Sequence, residues 1–101
     1  MEQKETSLKE KARTDLREPR QYQVILHNDD FTTFDFVVKI LTTIFYKTET
    51  EAQLIAETVH KSGQATIGVY SLDVAASKVR KATRLARQEG FPLRLTYTPI
   101  E

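Results

Sequence analysis

Cysteine is absent from the 101 residues, which excludes a disulfide framework and any thiolate metal site. No apolar stretch is long enough to span a bilayer, and the first residues lack the apolar run of a secretory signal. A cytoplasmic protein is expected, with no membrane partner. Internal repeats and low-complexity tracts are missing. An excess of one charge is missing too: fifteen Lys and Arg stand against fourteen Asp and Glu, a net charge of +1, so nucleic acid is not the default partner. Length sets a further limit. A folded unit of about 80 residues buries only about 60–65% of its unfolded surface. A surface groove or shallow pocket is therefore expected rather than a deep enclosed active site.

What is present divides into two parts. Eleven of the first twenty residues are charged, and Leu8 and Leu16 are their only large aliphatics apart from Met1. Such a segment buries too little apolar surface to offset its ordering entropy. Residues 1–20 are expected to form a flexible tail, closed by Pro19, and residues 21–101 one domain. Tyr22, Val24 and Leu26 alternate with Gln23, Ile25 and His27, giving one more apolar face, as in a strand over 22–28. Thr32 is the expected N-cap of a helix, with Asp35 three residues on and Phe31 and Phe36 as a hydrophobic staple. Val37, Leu41, Ile44 and Phe45 give that helix its apolar face, ending near 46–47. Thr48 and Glu51 form a capping box for a second helix to about His60, faced by Ala52, Ile55, Ala56 and Val59, with Gly63 at its end. A strand over 63–70 carries Ala65, Ile67 and Val69 on one side. Ser71 opens a third helix, with Ala75, Val79, Ala82 and Ala86 in register, stopped by Gly90 and Pro92. Leu93, Leu95 and Tyr97 share one face of a last strand over 92–98. The order β-α-α-β-α-β predicts an α+β domain: a small three-stranded antiparallel sheet packed against three helices.

The stretch that invites chemistry is Asn28-Asp29-Asp30, three oxygen-bearing side chains where the first strand gives way to a helix. Four readings are open on the residues alone. Asn and Asp favour turns and the positive end of a helix for structural reasons. A strand ending in paired acids resembles a phosphoacceptor or magnesium site, but the chain has three strands rather than five and no second acidic strand end. A metal site from His27, Asp29, Asp30 and His60 has no motif spacing behind it, and strand alternation turns His27 away from Asn28. An ammonium site is the fourth: amide and carboxylate oxygens accept the three N–H bonds of a free α-amino group. Phe34, Val37, Ala56 and Val59 would then line an apolar hole beside it.

"NDDFTTFDFV" at 28–37, "VH" at 59–60, "GVY" at 68–70, Ala75 with Lys78, and "PL" at 92–93 together resemble the ClpS adaptor family. The likeness runs over residues 21–100. It implies an adaptor and not an enzyme, without cofactor or metal. In that family, proteins bearing destabilising N-terminal residues (Leu, Phe, Tyr, Trp) are bound and delivered to the ClpA unfoldase of the ClpAP protease. Position by position, the resemblance places Asn28, Asp29 and His60 at the substrate's α-amino group. It places Asp30, Thr32, Phe34, Val37, Ala56, Val59 and Leu93 around the side-chain pocket. Asp73 and Lys78 match positions facing the ClpA N-terminal domain, and residues 1–20 a tail needed for hand-over. A monomer is expected. A variant of this reading is a modulator that occupies ClpA without delivering such substrates.

Two pocket positions depart from the common family pattern. Phe34 and Ala56 both stand where methionine is usual, the second of them a gate on pocket shape. Altered ranking of N-terminal residues is the expected result, as in a divergent second copy of the family. Thr33 replaces a usual proline at the helix start. A stripe of Arg80, Arg84 and Arg87, near Lys78 and Lys81, offers a rival nucleic-acid reading. Residues 21–101 hold nine basic and nine acidic residues, so a solvated helix face is favoured.

Overall fold

The chain is described by a computed structural model over residues 20–100. The expected tail over 1–20 lies outside the described residues except for Arg20. The elements are β1 (Gln21–His27), α1 (Phe34–Thr43), α2 (Glu49–Ser62), β2 (Gln64–Ser71), α3 (Leu72–Gln88) and β3 (Arg94–Pro99). The expected order β-α-α-β-α-β and the three-stranded antiparallel sheet are both present, with β1 in the centre of the order β2-β1-β3.

β1, the central strand, alternates cleanly. Val24 and Leu26 are fully buried, while Gln23, Ile25 and His27 point to the thinly covered face. The helices supply the other half of the core through Phe36, Ile40 and Leu41 of α1, Ala52, Ala56 and Val59 of α2, and Ala75, Ala82 and Ala86 of α3. Alanines along the buried side of α3 let the helix lie close on the sheet. Full burial of a Leu such as Leu26 or Leu41 contributes about 1.5–3 kcal/mol.

β2 departs from its expected pattern. Val24 pairs with Gly68 but Ile25 pairs with Thr66, so Ile67 is an extra residue and β2 carries a bulge. The extra residue reverses the alternation. Ala65 and Ile67 face the core as expected, but Val69 is turned outward and half exposed, and Tyr70 turns in to meet Phe45 at 6.2 Å. Gly68 permits this because a Cβ there would stand 2.8 Å from the Tyr70 hydroxyl. In β3, Leu95 is buried and Leu93, just before the strand, is too, whereas Tyr97 is 38% exposed and rests edge-on against Tyr22.

The helix ends hold one confirmation and three corrections. Thr48 and Glu51 make the expected capping box, and Gly63 closes α2 in the left-handed conformation at φ 93°. At α1 the N-cap is Thr33 and not Thr32: the Thr33 hydroxyl accepts the Phe36 N–H at 3.1 Å. Thr32 is instead held in the preceding loop, its N–H and hydroxyl both donated to Asp29. The staple does not form either. Phe31 is 73% exposed, and Phe36 packs on Phe91 with ring centroids 5.0 Å apart. α1 also stops earlier than its apolar pattern suggested, with Ile44 as C-cap.

Candidate functional site

Local chain geometry first assembles a corner where β1, α1 and α2 meet. The left-handed turn at Gly63 brings the end of α2 back to the end of β1, and the Gly63 carbonyl accepts the backbone N–H of Asn28 at 2.9 Å. Asn28 and His60, distant in sequence, are thereby brought to one cavity. Asp29 then fixes the loop. Its Oδ1 accepts the N–H groups of Phe31 and Thr32 at 2.8 and 2.7 Å, and its Oδ2 accepts the Thr32 hydroxyl at 2.8 Å. Burial pushes the Asp29 carboxyl upward. The Thr32 and Phe31 N–H groups, the Thr32 hydroxyl and the Arg87 charge outweigh it, so the group is held below its ordinary value and stays ionised.

The cavity formed here has a volume of about 450 Å³. Its lining contains Asn28, Asp29, Asp30, Thr32, Phe34, Val37, Ala56, Val59 and His60. Val37, Ala56 and Val59 are buried and give it an apolar floor, while Phe34 stands half exposed at the rim. Asn28, Asp30 and His60 are exposed, and among the described residues their side chains have no hydrogen-bond partner. Asp29 differs from them, since the loop already engages both of its oxygens. The arrangement combines free acceptors with an apolar hole. It suits a small cation attached to a bulky apolar group. Among the described residues no three His, Asp or Glu side chains gather as metal ligands, and no helix is long and apolar enough to cross a membrane.

Leu93, which the resemblance also assigns to this pocket, is fully buried in the core. Its carbonyl accepts Nη1 of Arg87 at 2.8 Å, and the Phe91 carbonyl accepts the same nitrogen at 2.9 Å. Arg87 therefore ties down the turn into β3 and is withdrawn from the basic stripe. Neither this role nor that of the Gly63 carbonyl carries a motif, because both act through backbone atoms.

Asp73 and Lys78 lie apart from this corner, at a second cavity of about 480 Å³ shared with Ile44, Tyr46, Val74, Ser77 and Lys81. The Lys78 ammonium donates to the Ile44 carbonyl at 2.7 Å and sits over the Tyr46 ring, 4.6 Å from its centroid.

With this geometry in view, comparison with known proteins assigns the chain to a class. Residues 17–96 match the model of the family described as the ATP-dependent Clp protease adaptor protein ClpS. An ATP-dependent Clp protease adapter protein ClpS from Acetivibrio thermocellus is 43% identical over 94 residues, covering 93% of this chain and 95% of its own length. That of Syntrophus aciditrophicus is 52% identical over 83 residues, covering 82% of this chain and 78% of its own. Among solved structures, Agrobacterium tumefaciens ClpS2 bound to L-phenylalaninamide superposes with a TM-score of 0.80 at 36% identity, covering 82% of this chain and all of that one. Fold and relatives together define a protease adaptor of the small α+β type. The chain belongs to the ClpS family.

Proposed function

We propose that this adaptor binds proteins through a free N-terminal residue with a bulky apolar side chain (Leu, Phe, Tyr or Trp) and delivers them to the ClpA unfoldase of the ClpAP protease. The observation that supports this most directly is the cavity itself, which sets the side chains of Asn28, Asp30 and His60, without hydrogen-bond partners among the described residues, beside buried Val37, Ala56 and Val59. An α-amino group is an ammonium with three donors and no acceptor; the amide oxygen, a carboxylate and a neutral imidazole nitrogen accept from it. The side chain on the same carbon enters the apolar hole. Thr32 and Phe34 flank its mouth, and Asp29 acts from behind by holding the loop. The related ClpS2 binds L-phenylalaninamide, which presents such an ammonium with a benzyl side chain and no carboxylate. Asp73 and Lys78 lie on another face, leaving room for the N-terminal domain of the unfoldase to dock while the peptide is held.

Fluorescence-anisotropy titration with short peptides that differ only in their first residue (Phe, Tyr, Trp, Leu, Ile, Met, Ala) tests the reading, with an α-acetylated Phe peptide as control. Binding of bulky apolar residues that disappears on acetylation is expected. Binding indifferent to acetylation would remove the ammonium site from the proposal.

A further inference from the structure

The second cavity holds a conformation that needs a cause. Tyr46 has φ 56°, and it is the one non-glycine residue with positive φ among the described residues. That region is disfavoured for a bulky side chain and persists where the surroundings over-determine it. Here the surroundings come from both sides. The Lys47 N–H donates back to the Leu41 carbonyl at 3.0 Å, which closes α1 just before the turn. From α3, Lys78 reaches across and donates to the Ile44 carbonyl at 2.7 Å, meeting the partial negative charge at the α1 C-terminus, whose last turn holds no basic residue of its own. The same ammonium stands 4.6 Å from the Tyr46 centroid, with Phe45 and Tyr70 at 5.8 and 5.7 Å. Its charge is thus met from inside the domain by one carbonyl and three ring faces.

The Tyr46 ring has the opposite character. It is 78% exposed although its backbone is fixed. Val74 beside it is also exposed, and Asp73 and Lys81 flank the pair with opposite charges. A rigid exposed aromatic inside a charged rim is the form that interface anchors take. Resting on the reading that this face docks the unfoldase, we infer that Tyr46 is its anchor and that Lys78 is a positioning residue acting through Tyr46, with Lys81 as the cation that meets the partner. The partner surface is then an apolar recess with an acidic group opposite Lys81 and a basic group opposite Asp73.

The test is a double-mutant cycle read as affinity for the isolated N-terminal domain of the unfoldase, using Tyr46→Ala, Lys78→Met and the pair in the full chain. Tyr46→Ala should weaken docking by about 30-fold, the range of an interface hot spot, and Tyr46→Phe should retain it. Lys78→Met should give part of that loss, and the double variant should be no weaker than Tyr46→Ala alone. Lys81→Ala should flatten the salt dependence of docking, and Lys78→Met should not. Affinity for an N-terminal Phe peptide should stay unchanged in all of them, which also reports folding. Additive losses would mean that Lys78 touches the partner directly and would overturn the inference. So would wild-type docking by Tyr46→Ala while Asp73→Ala and Lys81→Ala weaken it, and in that case the docking face itself survives. If Asp73→Ala and Lys81→Ala also dock as wild type, the docking face is wrong and the inference falls with it.

Discussion

Asp29 grips Thr32 twice, accepting its backbone N–H at 2.7 Å and its hydroxyl at 2.8 Å. The pair sets the loop between β1 and α1, and with it the position of Asp30 in the cavity wall. Hydrogen bonds to a charged group contribute about 1.5–3 kcal/mol each when sheltered, and less at this half-exposed site. Asp29→Ala should therefore lower stability by about 1–3 kcal/mol in urea denaturation. It should also weaken N-terminal peptide binding, although its own oxygens are already engaged. Thr32→Val removes one of the contacts and should give a smaller loss in both. Equal losses from the two variants would mean that the hydroxyl contact alone holds the loop.

The pH dependence of stability follows from two groups with opposite charge types. Burial, then the Arg94 charge, lowers the His27 pKa below its ordinary 6.5 in the folded chain. The unfolded chain then binds the proton more readily, so stability is lost as pH falls below about 6.5. Asp29 is also lowered, from an ordinary 3.8. Its contribution is present above that unfolded value and is lost as pH falls through the folded one. The urea midpoint measured from pH 8 to pH 2.5 should accordingly decline in two stages. His27→Gln should remove the first stage, and Asp29→Asn should reduce the second. A midpoint unchanged between about pH 7 and 5 would contradict the His27 assignment.

Much of this was legible in the sequence because it is local. The strand pattern of Tyr22, Val24 and Leu26, the Thr48–Glu51 box and the Gly63 stop all rest on neighbours within a few residues, and the structure bears them out. The misreadings share a different cause. Thr32 and Thr33 are equally good caps until Asp29 holds Thr32 in the loop before the helix. Val69 fits the core face until the bulge at Ile67 reverses the alternation. The candidate site was legible as a set of residue types. Its assembly through the Gly63 carbonyl was not, since that contact joins two backbone atoms and carries no side-chain motif.

That assembly gives a prediction at a distance from the ligand. Gly63 has φ 93°, and an added Cβ would meet no atom within 4 Å, so strain alone decides the outcome. Gly63→Ala should cost about 1–2 kcal/mol of stability. It should also weaken peptide binding, because Asn28 hangs on the Gly63 carbonyl and His60 on the helix that Gly63 closes. Unchanged peptide affinity at full folding would show that the corner tolerates a shifted turn.

Direct removal of the acceptors should be more severe. A charge-assisted hydrogen bond contributes about 1.5–3 kcal/mol, and 1.4 kcal/mol is a factor of ten. Asn28→Ala and His60→Ala should each raise the Kd of an N-terminal Phe peptide by about 10- to 150-fold. Both residues are exposed, so melting temperatures should stay close to that of the unaltered chain. If both variants bind the peptide as before, the ammonium assignment is wrong.

The shape of the apolar hole is set by Ala56, buried in its floor, and Phe34, half exposed at its rim. Ala56→Met adds a flexible side chain to a cavity of about 450 Å³ and should remove space without removing any acceptor. The expected result is a change of ranking rather than a loss of binding: Trp and Phe peptides weaken, and Leu keeps most of its affinity. One methylene in such a pocket discriminates by about 1–3 kcal/mol, so the Leu-to-Trp preference should move by about tenfold or more. Phe34→Met should act differently, because a rim ring contacts the ligand without defining its depth. It should weaken all aromatic peptides by a similar factor. The same anisotropy series on both variants separates the two roles, and a uniform loss from Ala56→Met would move the depth-setting position away from residue 56.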